Sequence, residues 1–160
     1  MLQRIQSVYL LLGFLVLLAS LLSANAVFTI GDSTINFSAF GLLSEQNTQV
    51  SIRFPFLLML VSLGIPMLGF LACIFLFQNR KFQMKMVRLC SLLVLVHVAA
   101  EAFLYKHAIE TLEGLFPGKA ITTQWGIGSM LPLVCIALSM LAVSRIKHDE
   151  ELVRSADRIR

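Results

Sequence analysis

Apolar residues gather along the chain in four long runs, 5–24, 55–77, 87–105 and 126–143, separated by segments where charges and turn-forming residues collect. Each run is about the length a helix needs to cross ~30 Å of hydrocarbon, which takes ~20 residues. Charges are all but excluded from them, and none shows a polar face. Burying four such helices inside a soluble domain would leave too little polar surface to cover them. The pattern therefore predicts an all-α membrane protein: a single domain over residues 1–160, built as an antiparallel four-helix transmembrane bundle. Segments 25–54 and 106–125 become loops on one side, and segment 78–86 and tail 144–160 lie on the other.

The pattern changes character between the first two runs. Val27-Phe28-Thr29-Ile30 precede Gly31-Asp32, and Thr34-Ile35-Asn36-Phe37-Ser38-Ala39 then alternate polar and apolar residues. Alternation on both sides of a Gly-Asp turn predicts a small β-hairpin. A lone hairpin is marginal in water, so its apolar face must rest on helix ends, lipid or a partner. Positions 42–49 read as a turn or short helix. In the second run, Pro66 predicts a kink near Ser62, because the ring removes one backbone hydrogen bond. The third run keeps its helical spacing past Tyr105 through Ala108, Ile109, Leu112 and Leu115. Lys106 and Glu110 can pair on that extension, and Pro117-Gly118 ends it. This gives a helix of about thirty residues that reaches toward the hairpin. Trp125 marks an interface. Small residues on both sides, Ala99, Ala100 and Ala102 against Gly126, Gly128 and Ser129, predict close approach of the last two runs there.

Composition sharpens this reading. The chain is 58% hydrophobic and 14% charged, where a soluble domain is about a quarter charged. Ten of the 13 Lys and Arg residues fall in three places: Arg4; Arg80, Lys81, Lys85 and Arg88; and Arg145, Lys147, Arg154, Arg158 and Arg160. The other loops hold only Arg53, Lys106 and Lys119. By the positive-inside rule, both termini and segment 78–86 face the cytoplasm, and the hairpin is exported. The basic segments flank the runs, so membrane lipid rather than nucleic acid is the expected partner. Cys73, Cys90 and Cys135 all lie inside runs and form no C-x-x-C pair, so they read as small packing residues. Ala24-Asn25-Ala26 has the small-x-small pattern of a cleavage site. The apolar stretch before it is longer than the ~7–15 residues of a signal-peptide core, so a retained anchor is expected.

Two polar groupings are candidates for function. His97 and Glu101 lie inside the third run, four residues apart and on one helical face, with Tyr105 continuing that face. Ionisable residues at such depth cost about 2.5–3.5 kcal/mol and turn inward. They are either a proton or ion site or a structural hydrogen-bonded pair. The second grouping joins the two chain ends: Gln3, Arg4 and Gln6 with Asp149, Arg154, Asp157 and Arg158, a cytoplasmic polar cluster of complementary charge.

The start MLQRIQSVYLLL and the end DEELVRSADRIR resemble the paired end motifs of a family of small four-span membrane proteins of Bacteroidota, DUF4293, defined only as a domain of unknown function. The resemblance implies four helices in the inner membrane and supplies no activity, substrate or catalytic residue. The residues themselves offer no nucleophile–base pair, phosphate-binding loop or metal-ligand spacing, so neither an enzyme nor a cofactor is expected. The expectation is an accessory or scaffold subunit acting through its exported cap or its tail, with a protein partner or further copies of itself. The alternative is a small transporter or proton-linked channel component using Glu101 and His97.

Overall fold

The computed structural model describes residues 3–44 and 56–158; the side chains of residues 3, 4, 56, 152–154 and 156–158 fall outside that description. Four long helices carry a small antiparallel sheet: α1 Gln3–Leu22, α2 Phe56–Phe75, α3 Arg80–Leu115 and α4 Ile127–Arg158. All four are long and apolar enough to cross a membrane.

Each helix buries one narrow stripe whose members are alternately four and three residues apart, save for the last step of α3, which is four again. In α1 it is Gln6, Leu10, Gly13, Leu17 and Ser20; in α2, Met59, Leu63, Pro66, Phe70 and Cys73. In α3 it runs from Gln83 through Val87, Cys90, Val94, His97, Glu101 and Leu104, and on to Ala108 and Leu112. In α4 it is Gly128, Pro132, Cys135, Ser139, Ala142, Ile146 and Asp149. A spacing of 3.5 on average is the seam of helices that pack nearly parallel or antiparallel. Helix α1 packs mainly on α4 and also on α2, while α3 packs on both α2 and α4. Cys73, Cys90 and Cys135 are free and buried on these seams, within one apolar cluster that includes Leu10, Leu17, Phe70 and Val94. The faces turned outward are equally apolar: Leu57, Leu68, Phe103 and Ile127 are each at least 60% exposed.

Helix α2 is continuous through Pro66. The Ser62 hydroxyl lies on the Met59 carbonyl (3.1 Å) and on His97, not on the carbonyl that the proline frees. Helix α2 ends in a 3-10 turn at Leu76–Gln78, and Gln83 Nε2 donates to the Cys73 carbonyl at 2.9 Å. Asn79 caps α3 by accepting from the Phe82 N–H (3.2 Å).

At 36 residues, α3 is ~54 Å long, well beyond a ~30 Å hydrocarbon layer. Its last turns lie under the sheet. The expected hairpin is present as β1 Ala24–Ile30 and β2 Ser33–Ser38, paired in register from Ile30↔Ser33. Gly31 takes φ +60° in the two-residue turn, a conformation glycine adopts without a Cβ penalty.

The hairpin is the centre of a larger sheet than the sequence predicts. Strand β3, Gly41–Ser44, pairs with β2, so this part of the segment read as a turn or short helix is a strand; positions 45–49 lie outside the described residues. Strand β4, Ile121–Trp125, comes from the far loop and pairs with β1, giving the order β3-β2-β1-β4. Two further strands remove the marginality of a lone hairpin. Ala26, Phe28, Ile30, Ile35, Phe37 and Leu42 form the sheet's inner face and pack on Met59 of α2 and on Leu104, Ala108 and Leu112 of α3.

Candidate functional site

Asn25 is the residue that joins the sheet to the helices. Ala24 pairs with Ser38 and Ala26 with Phe37, so Asn25 is the extra residue of a β-bulge. A bulge redirects a side chain that regular pleating would place elsewhere. Here Asn25 Nδ2 donates to Glu101 Oε1 at 2.7 Å, with both residues buried. The Asn25 backbone carbonyl accepts from the Gly126 N–H (2.9 Å), which brings the start of α4 to the same point. The Ser20 hydroxyl donates to the Gly128 carbonyl at 2.8 Å and adds α1.

The second carboxylate oxygen of Glu101, Oε2, faces His97 Nε2 at 4.0 Å, too far for a hydrogen bond. His97 is fully buried, and its Nδ1 lies 2.8 Å from the Ser62 hydroxyl. That hydroxyl also sits on the Met59 carbonyl, and one proton cannot serve both. If it goes to Met59, His97 carries its proton on Nδ1 and turns a lone pair toward Glu101. If it goes to His97, the imidazole N–H faces Glu101 instead. His97 and Glu101 are therefore brought together on one face, as expected, within a chain Ser62–His97–Glu101–Asn25 that spans α2, α3 and β1. Among the described residues, Asn25 Oδ1 and His97 Nε2 are buried without hydrogen-bond partners.

Tyr105, one turn beyond Glu101, leaves this chain and stacks between Trp125 (4.4 Å) and Phe28 (5.6 Å). Trp125 is thus part of the sheet's contact with α3. The small residues at the outer ends work differently from the expectation. A Cβ on Gly126 would overlap the Ala24 carbonyl, and one on Gly128 would come within 2.6 Å of Asn25 Oδ1. These glycines admit the α1–β1 junction, while Ala99 and Ala102 of α3 are exposed. Between the sheet-side ends of α3 and α4 lies a groove of about 190 Å³ lined by Val98, Glu101, Ala102, Trp125, Ser129, Met130 and Leu133. A polar link between these two helices lies farther along, where Ser91 and Ser139 are 2.7 Å apart.

At the opposite end, the Gln6 amide donates to the Asp149 carboxylate, joining α1 to α4 as the paired chain ends suggested. Both residues are buried. Arg80, outside the expected cluster, donates from Nη1 to the Asp149 backbone carbonyl (3.1 Å). The side chains of Gln3, Arg4, Arg154, Asp157 and Arg158 lie outside the described residues. Among the described residues, no group of three or more His, Cys, Asp or Glu is arranged to hold a metal ion. Lys106 and Glu110 form the expected exposed pair at 3.9 Å.

The family profile described as a domain of unknown function, DUF4293, matches residues 2–159, nearly the whole chain. The chain belongs to the DUF4293 family. A search of curated proteins finds no match. As a DUF4293 member, its site must be read from its own geometry. Sequence reading missed Asn25, Ser62 and Gln83. Gln83 was within reach, since it continues the 3.5-residue stripe back from Val87 and Cys90. Asn25 and Ser62 carried no signal, because each acts through a partner at least 35 residues away.

Proposed function

We propose that this protein is a non-enzymatic integral membrane protein, an accessory or scaffold subunit that holds a rigid sheet cap above a four-helix bundle. The hydrogen bond from Asn25 to Glu101 carries this reading. It engages the one carboxyl deep in the third helix as a clamp between cap and bundle. The apolar outward faces of all four helices suit lipid contact. Arg80, Lys81, Lys85, Arg88, Arg145 and Lys147 gather at the end away from the sheet, which favours a cytoplasmic tail end and an exported cap in a bacterial inner membrane. The contacts of α1 along α4 favour a retained first span. On the cap, Phe40 (55% exposed) and Leu43 (46%) stand at the β2–β3 edge and offer an apolar contact for a partner.

A photo-crosslinking residue at Phe40 or Leu43, activated in native membranes, tests this. The proposal expects one discrete heterologous protein adduct. Adducts to lipid alone, or to the protein itself alone, would refute it. One observation favours a second reading as a proton-linked transport component: the groove between α3 and α4 reaches Glu101. Its lining is mostly apolar. On this reading Glu101→Gln abolishes a proton flux in reconstituted vesicles, whereas the scaffold reading expects no flux to lose.

A further inference from the structure

A second opening lies apart from the Glu101 groove: a furrow of about 430 Å³ between α3 and α4 near the tail end, lined by Arg88, Ser91, Ser139, Met140, Val143, Ser144 and Lys147. Its deep end is closed by the Ser91–Ser139 hydroxyl pair and walled by Met140 and Val143. Arg88 and Lys147 stand at its mouth, one from each helix. They also line the adjoining hollow, where Met84, Glu150 and Glu151 complete the wall. Along α4 the chemistry thus changes in order: apolar at Met140 and Val143, cationic at Lys147, acidic at Glu150 and Glu151. Lys147 and Glu151 are one turn apart (~5.4 Å) and form an exposed pair at 3.8 Å, the kind that contributes little and is readily rearranged.

We propose that this furrow is a binding site for phosphatidylethanolamine, with an acyl chain against Met140 and Val143, the phosphate between Arg88 and Lys147, and the ammonium at Glu150 and Glu151. This rests on the reading that the tail end lies at the cytoplasmic headgroup level. The charge order selects the lipid. Two cations bracket a phosphate. Two carboxylates about a turn farther out repel a lipid of net negative charge and accept N–H bonds from a primary amine. A quaternary ammonium has no N–H to donate, so phosphatidylcholine keeps only the weaker Coulombic attraction to the carboxylates and loses the hydrogen bonds.

The test is native mass spectrometry of the full-length protein in detergent, presented with equimolar phosphatidylethanolamine, phosphatidylglycerol and phosphatidylcholine. The proposal expects phosphatidylethanolamine to be retained about tenfold over the other two. Arg88→Gln/Lys147→Gln loses all three lipids alike. Glu150→Gln/Glu151→Gln keeps lipid but erases the preference and raises phosphatidylglycerol. Phosphatidylglycerol equal to or above phosphatidylethanolamine in the wild type overturns the site, as does either double variant behaving as wild type. Resistance to alkaline extraction, measured on the same proteins, depends on the spans alone. A wild-type protein that integrates into the membrane yet shows no preference for phosphatidylethanolamine therefore counts against the lipid site and not against the bundle.

Discussion

Replacing Asn25 by alanine removes the donor that sits 2.7 Å from Glu101 and leaves a buried carboxyl with no hydrogen bond to that oxygen. His97 cannot substitute, because its Nε2 lies 4.0 Å from the other oxygen. Leaving one buried partner unsatisfied costs about 1–3 kcal/mol, with the upper part of that range for a strongly polar acceptor. Asn25 is only 2% exposed, so its removal also opens a small void. We expect Asn25→Ala to destabilise the protein by about 2–3 kcal/mol, a factor of about 30–150 in the unfolding equilibrium. Glu101→Gln keeps an acceptor of the same shape and should cost under about 1 kcal/mol. The double variant Asn25→Ala/Glu101→Leu should be less destabilised than the sum of its singles by about 1–2 kcal/mol, since neither member of the Asn25–Glu101 pair is then left without the other. Reversible unfolding in mixed micelles measures this. The chain's one tryptophan, Trp125, stacks on Tyr105 at the cap and reports the event by fluorescence. A loss below about 0.5 kcal/mol for Asn25→Ala, or strict additivity in the double variant, would refute the clamp.

Other perturbations probe the remaining joints. Gly128→Ala places a methyl 2.6 Å from Asn25 Oδ1 and should cost about 1–3 kcal/mol by overpacking, measured by the same unfolding assay; a neutral result would mean that the α1–β1 junction is loose. Gln6→Leu strands the buried Asp149 carboxylate and should cost about 1–3 kcal/mol, while Gln6→Leu/Asp149→Leu should recover part of that loss. Cys73, Cys90 and Cys135 are all buried and free, so a maleimide should label none of them in the folded protein and all three after denaturation, as counted by intact mass.

The four helices were legible because each is long and apolar enough to cross a membrane, a local property that needs no knowledge of its neighbours. The outward extension of α3 was legible too, from the spacing of Ala108 and Leu112 and the stop at Pro117-Gly118. The hairpin could be read because alternation and Gly31-Asp32 are local signals. Strand β4 could not be, since Ile121–Trp125 has one strong apolar residue at each end and three polar ones between. Its pairing with β1 is decided by tertiary contact across some ninety residues of chain. The polar site shows the same division. His97 and Glu101 announce themselves by their depth in an apolar run, and Gln6 with Asp149 by the shared side of the chain ends. Asn25 sat inside an apparent cleavage pattern, and only the bulge that redirects it gives it a role. Gly126 and Gly128 were correctly read as points of close approach but were assigned the wrong neighbour, because small size says nothing about which surface arrives.

The membrane sidedness of the cap and of the α2–α3 turn decides whether the sheet is carried on the far side of a bilayer from the tail end. A cysteine placed at Asp32, on the hairpin tip, and another at Asn79, beside the 3-10 turn, can each be probed in intact cells with a membrane-impermeant maleimide, the buried native cysteines serving as a silent background. The account predicts that Asp32→Cys is labelled from outside, and that Asn79→Cys is labelled only after the membrane is opened. Labelling of both from the same side, or of Asn79→Cys alone from outside, would contradict it.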